Sequence, residues 1–313
     1  MVPVFDYEAV RAVVDAATAV ERTREAFERH ARGEWEMPAK VYLQSPPHGD
    51  FRAMPARGDG LALLKWVTSF PHNPDRGLPV VAGVVVLSSA EDGRLLALID
   101  CLAVTQLRTG AAAAVSAQAL AAEGARTVGA IGCGANGSWA ARCLAAAGFG
   151  PGVCADAHPE AAEKLAAELG WRAGPREQAA AQDVVFTMTP GEAPVVLASD
   201  LRPGQHFAAL GADAHGKSEV ELEALDRCQL FCDEWEQASA GGELSGAVAA
   251  GQVRREQVTE LGQVLTGAAP GRRSADAITL FDSTGLAIQD LGIAAAVYAA
   301  WQAGEIEVPQ IEV

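Results

Sequence analysis

Gly132, Gly134 and Gly137 form the run G-C-G-A-N-G, placed directly after a short apolar stretch, TVGAI, and at the start of an alanine-rich helical pattern. Glycines at that spacing leave bare backbone amides at a helix start, where unpaired N–H groups and the helix dipole both favour an anion such as a pyrophosphate. Asp156 ends the next apolar run, GVCAD. A carboxylate there accepts the hydroxyls of an adenosine ribose and repels a 2′-phosphate, which favours NAD over NADP.

Other charges stand where charge is expensive. Lys65, in LALLKWV, shares a strand face with Leu61, Leu63 and Val67. An ammonium buried there needs an anion; the plainer alternative is a lysine that snorkels at a strand end. Arg108 opens RTGAAAAVSAQALAA, read as a helix start whose dipole disfavours a cation, so a second anion is implied unless the arginine sits on a surface loop. Lys40 in MPAKVYL and Arg52 in DFRAMPA add two more cations. Asp213, in ALGADAHGK, lies past an apolar run at the carboxyl end of an expected parallel strand, where ligands of open α/β sheets sit, although aspartate also shapes turns. An acid near a nicotinamide, with several cations suited to a carboxylate, points to hydride transfer on a small carboxylate.

Periodicity indicates the elements that must position these groups. From about residue 127, the runs TVGAI, GVCAD, DVVFTMT, HFAAL and CQLFCD alternate with helical patterns. Such alternation predicts a Rossmann-type α/β domain, a doubly wound parallel sheet covered on both faces. The earlier part shows one helix over residues 7–32 and then KVYLQS, DFRAMPA, LALLKWVTSF, LPVVAGVVVLSS and RLLALID, which predict a mixed sheet in a second, α+β domain. GLAIQDLGIAAAVYAAWQAG is helical in spacing and the terminal IEV reads as an edge strand; both are assigned back to this second domain. The expected division is residues 1–120 with 291–313 for substrate binding and dimerisation, and residues 121–290 for the dinucleotide.

Composition narrows the partners. Half of the 313 residues are hydrophobic, enough for a large core, and 24 Lys and Arg against 40 Asp and Glu give a net charge of -16. That charge repels nucleic acid and anionic lipid. No apolar run approaches the roughly 18 residues of a spanning helix, and the N-terminus lacks a basic start, so a cytoplasmic location is expected. The six cysteines read as free thiols, and the six histidines form no pair at metal-ligand spacing, so no metal is expected.

Seven blocks in order, MPAKVYL, DFRAMPA, KWV with FPHNPDRGLPVV, LRTGAAAA, the glycine turn, LGADAHGKSEVE and LFDSTGLAIQDL, resemble the family of ornithine cyclodeaminases, mu-crystallin and archaeal-type alanine dehydrogenases. The resemblance covers nearly the whole chain. It implies a homodimer that binds NAD in a Rossmann domain. It further implies that Lys65 and Arg108 hold the substrate carboxylate, that Asp213 moves protons, and that Lys40 lines the site and assists catalysis. Thr109, Asn136, Asp156, Thr189, Lys217 and Ser283, with the three glycines, are implied to touch the dinucleotide. Asn136-Gly137 stands where the family usually has Gln-Ala, a conservative departure. Arg52-Ala53-Met54-Pro55 stands where ornithine cyclodeaminases have E-x-M-P, whose glutamate neutralises the distal amino group of ornithine. An arginine repels that group. Arg52 therefore joins the substrate-binding set of an expected dehydrogenase that reversibly deaminates a small or acidic 2-amino acid, with a 2-oxo acid and ammonia on the other side. Ketimine or pyrroline-2-carboxylate reductase and ornithine cyclodeaminase stay open as alternatives, ahead of a crystallin-like NAD(P)H-binding protein.

Overall fold

The computed structural model describes residues 1–214 and 216–313. The chain divides into two units, Met1–Arg108 with Leu286–Val313, and Thr109–Gly285. Distant parts of the chain thus build the first unit, where Gln310–Ile311 pairs antiparallel with Val2–Phe5 at the sheet edge.

The first unit is built on a seven-stranded sheet. Across it run Gln310–Ile311, Val2–Phe5, Leu95–Asp100, Val81–Ser89, Leu61–Ser69, Gly49–Gly58 and Val41–Ser45. Val2–Phe5 is parallel to Leu95–Asp100 and the other pairs are antiparallel, so the sheet is mixed as its sequence indicates. The helix Ala287–Gln302 packs on Gly49–Gly58, Leu61–Ser69 and the helix Ala16–Ala31. Gly292 makes that helix pair close, since a Cβ there would stand 2.9 Å from the Arg22 carbonyl oxygen. The single helix expected over residues 7–32 is two, Tyr7–Val13 and Ala16–Ala31. Asp15 explains the break: its carboxylate takes the Thr18 amide at 2.8 Å, a capping bond that starts a helix, and Val14 before it is extended.

The second unit holds an eight-stranded, wholly parallel sheet. Its order is Val258–Glu260, Cys228–Cys232, Ile278–Asp282, His206–Ala209, Val184–Thr187, Val128–Ile131, Gly152–Ala155 and Arg172–Ala173. Strands after Val128–Ile131 run outward one way and those from Val184 onward the other, so the topological switch lies between Val128–Ile131 and Val184–Thr187. Every residue of those two strands is buried, which accounts for runs that are apolar throughout rather than alternating.

Candidate active site

In the first unit the strand Leu61–Ser69 inverts the usual order of inside and outside. Leu63, Lys65 and Val67 point into the core, while Leu64 and Trp66 are 41% and 38% exposed. Lys65 is 1% exposed; its Nζ donates to Asp290 Oδ1 at 2.8 Å and to Thr105 Oγ1 at 3.2 Å. Arg108 Nε lies 3.4 Å from the same carboxylate oxygen. Asp290 is fully buried in the first turn of Ala287–Gln302, where the helix dipole steadies a negative charge. Burial drives the Lys65 pKa down, and the Asp290 carboxylate opposes that shift.

Two cations against one carboxylate leave the cluster with one positive charge in excess. Arg108 Nε and Asp290 Oδ2 have no hydrogen-bond partner among the described residues. A carboxylate ligand supplies both the missing charge and an acceptor for the guanidinium.

The helix-start reading of Arg108 is corrected. Its helix runs Cys101–Leu120, begun by Asp100, whose side chain accepts the Ala103 amide at 2.7 Å. Arg108 is therefore well inside the helix and the dipole does not act against it. Its burial beside Lys65 and Asp290 is what calls for an anion.

Arg52 and Lys65 project from the same sheet face, since Arg52 pairs with Val67 and Met54 with Lys65. The Arg52 guanidinium is not bare: Nε donates to Asp50 Oδ1 at 2.6 Å, Nη2 to Oδ2 at 3.3 Å, and the group lies 5.4 Å from the centre of the Tyr42 ring. Lys40 immediately precedes the strand Val41–Ser45 and is half-buried.

In the second unit the glycine turn follows Val128–Ile131 and opens the helix Ala135–Ala146. Gly132 has φ +98°, and a Cβ at Gly137 would overlap the Gly132 carbonyl. Gly134, by contrast, faces open space and caps its helix without any side-chain bond, which leaves the first-turn amides for a ligand. Asp156 follows Gly152–Ala155 and is drawn to this turn, accepting from the Cys133 amide at 2.6 Å and the His158 amide at 2.8 Å. Ser283 is buried, and its Oγ has no hydrogen-bond partner among the described residues. A bare helix start, a ribose-ready carboxylate and an orphaned hydroxyl fit a dinucleotide. Thr109 is buried and Asn136 half-buried.

Asp213 and Lys217, assigned to different tasks from sequence, meet as an ion pair of 2.7 Å, each about one-third exposed (30% and 33%). Glu219 belongs with them and was not singled out by sequence. Its buried carboxylate accepts from Thr187 Oγ1 (2.7 Å), the Thr189 amide (2.6 Å), Thr189 Oγ1 (2.8 Å) and the Gly211 amide (2.7 Å). It therefore joins the end of one strand to the segment that leads into Asp213. Glu243 holds the Glu219 amide at 2.8 Å and the Val220 amide at 2.8 Å, and burial pushes its own carboxyl up to about 7. Glu219 follows a lysine and a serine in a polar stretch, where no periodicity marks it as buried. Asp290 carried a signal: it is a lone acid in an otherwise apolar helical pattern.

A parallel sheet with this turn at its switch point, on one chain with a mixed sheet, defines a two-domain α/β protein of the Rossmann class. Residues 4–305 match the ornithine cyclodeaminase/mu-crystallin family, and the chain belongs to it. An alanine dehydrogenase of Archaeoglobus fulgidus is 41% identical over 298 residues, 93% of this chain and 92% of that one. An iminosuccinate reductase of Paracoccus denitrificans is 36% identical over 235 residues, 73% of each chain. The solved structure of an archaeal alanine dehydrogenase dimer with bound NAD matches with a TM-score of 0.95 at 39% identity, over 99% of both chains.

Proposed function

We propose that this chain is an NAD-dependent amino acid dehydrogenase that reversibly deaminates a small 2-amino acid, with chemistry like that of the archaeal alanine dehydrogenase it resembles. The observation that carries the reading is the buried cluster of Lys65, Asp290 and Arg108, one positive charge in excess. A substrate carboxylate bound there is fixed in position, and with it carbon 2, so that orientation supplies much of the catalysis. NAD supplies the hydride acceptor at that carbon, and NADH the donor.

The remaining steps belong to the protein and its substrate. In deamination, carbon 2 becomes an imine that water attacks; Asp213 takes a proton from that water and returns one to the leaving ammonia. Lys217 holds the Asp213 carboxylate in place. Lys40 assists at the substrate site and Arg52 meets the substrate side chain. In amination the same groups run in reverse from a 2-oxo acid and ammonia. Gly132, Gly134, Gly137, Asn136, Asp156, Thr109, Thr189, Lys217 and Ser283 hold the dinucleotide.

The exposed sheet face fits a second copy of the chain. Leu64 and Trp66 share the protein surface with Val41 and Leu43, 62% and 59% exposed, and Trp66 stacks on Phe51 with ring centres 5.6 Å apart. No helix among the described residues is long and apolar enough to cross a membrane. The cysteines are free, as suits the reducing cytoplasm where we place the enzyme.

The test is NADH oxidation with pyruvate, with and without ammonia. Turnover that requires ammonia supports the reading. Turnover of a preformed cyclic imine such as pyrroline-2-carboxylate, with no ammonia-dependent activity on any 2-oxo acid, replaces it by an imine reductase.

A further inference from the structure

We infer that Asp233 is a positioning residue for the cofactor: its carboxylate holds the segment after the strand Ile278–Asp282 so that the Ser283 hydroxyl meets the nicotinamide half of the dinucleotide. The inference rests on the reading of Ser283 as a cofactor residue, and every group it uses lies in the second unit.

Asp233 stands just past the strand Cys228–Cys232, the neighbour of Ile278–Asp282 in the parallel sheet, and is 4% exposed. Its two carboxylate oxygens hold different groups. Oδ1 accepts from the Glu234 amide at 2.8 Å, and Oδ2 from the Gly285 amide at 2.8 Å. The Thr284 hydroxyl donates between them, at 3.1 and 3.3 Å. The backbone is tied as well: the Asp233 amide donates to the Asp282 carbonyl at 3.0 Å, and the Ser283 amide to the Ala209 carbonyl at 3.0 Å. Ser283 is thus fixed through the strand His206–Ala209 and, in the two residues that follow it, through one buried carboxylate. Its own hydroxyl is left without a partner among the described residues. A segment pinned on both sides of a buried, unpaired hydroxyl aims that hydroxyl at a ligand.

Sheet topology says which part of the ligand that is. The glycine turn and Asp156 lie on the Val128–Ile131 and Gly152–Ala155 side of the switch, where the pyrophosphate and the adenosine ribose are received, and Ile278–Asp282 lies on the other side. A dinucleotide that crosses a switch point puts its second half over those strands. Ser283 therefore serves the nicotinamide end, and Asp233 acts on that end alone. Only a carboxylate suits the position. Asparagine offers one acceptor oxygen and turns an NH2 group toward one of the two amides, that of Glu234 or that of Gly285.

The experiment measures, by calorimetry, the binding of NADH and of ADP-ribose, which lacks the nicotinamide. The proteins are wild type, Asp233→Asn, Thr284→Val, Ser283→Ala and the double variant Asp233→Asn with Ser283→Ala. In Asp233→Asn the NADH affinity should fall about fivefold to tenfold, with ADP-ribose affinity within about twofold of wild type. Thr284→Val should move the same ratio in the same direction by less. Once Ser283 is replaced by alanine, the Asp233 change should cost NADH less than about a further twofold, because the two residues act through one contact. Unchanged NADH affinity in Asp233→Asn, equal losses for both ligands, or a loss of full size in the Ser283→Ala background each overturn the inference. If Asp233→Asn does not fold, Thr284→Val decides by the NADH-to-ADP-ribose ratio; if neither folds, Asp233 is a structural residue and the inference falls. Ser283→Ala with wild-type NADH affinity overturns it at its first step, the cofactor role of Ser283. All these failures leave the dehydrogenase reading to its own turnover test, whereas a wild type that binds neither ligand overturns both.

Discussion

Lys65 and Trp66 are neighbours that exchange ordinary places, the ammonium inside and the indole outside. The exchange is legible in LALLKWV once strand alternation is assumed, because Leu63 and Val67 fix which face is core. What the sequence could not supply is the partner, since Asp290 is 225 residues away and only folding brings it to 2.8 Å. Lys65→Met should destabilise the protein by about 3–5 kcal/mol, as it strips a buried carboxylate of one partner. It should also raise the KM for the 2-oxo acid by roughly 30-fold or more. Urea unfolding and steady-state kinetics check the two effects. Asp213→Asn keeps size and removes the proton acceptor. Turnover should fall by about 10²- to 10⁴-fold while NADH affinity, read from nicotinamide fluorescence, stays close to wild type. An active Asp213→Asn enzyme ends the proton-transfer role, because asparagine tolerates the same turn geometry.

Among the elements, five of the eight strands of the parallel sheet were readable as apolar runs and the glycine turn as a motif, since both depend on local sequence, whereas Arg172–Ala173, Val258–Glu260 and Ile278–Asp282 were not singled out. Helix limits were less so. Arg108 looked like a helix start because it opens the alanine-rich pattern RTGAAAAVSAQALAA, whereas Asp100 caps the helix earlier and draws CLAVTQL into it. Glu219 was invisible for another reason: its value comes from four donors on two chain segments that sequence does not place together. Burial pushes its pKa up while those bonds pull it down, so it acts as a tie between strand ends. Glu219→Gln turns part of this acceptor into a donor facing donors. Thr189 and the approach to Asp213 should then loosen together, with weaker NADH binding and lower turnover in one variant, and a stability loss of about 1–3 kcal/mol. Unaltered NADH affinity in a destabilised variant would show that the tie serves folding alone.

For the whole molecule, assembly and pH response follow from where unlike groups lie. The apolar outer face around Trp66 predicts that Leu64→Asp with Trp66→Asp yields monomers in sedimentation, with the dinucleotide still bound. Glu243 governs one part of the pH profile. Its folded pKa, about 7, exceeds its ordinary value of 4.5, so the native state holds the extra proton between these limits. The stability it contributes is complete below about pH 4.5 and is lost as pH rises through about 7. Urea unfolding of wild type and Glu243→Gln at about pH 5 and about pH 8 should show the larger drop in wild type. An equal drop in both proteins removes Glu243 from the account.

The first unit is drawn from both sides of the second along the chain, and this has a consequence for biosynthesis. A ribosome makes Lys65 long before Asp290, and the helix that carries Asp290 is also the one that covers the strand bearing Lys65. The nascent N-terminal segment therefore carries an ammonium with no counter-charge and a sheet with no lid, while Thr109–Gly285 already has every strand it needs. Domains that are complete fold as they emerge. The part of the protein synthesised first is accordingly the part finished last, and it stays open to chaperones and proteases until the final helix leaves the exit tunnel.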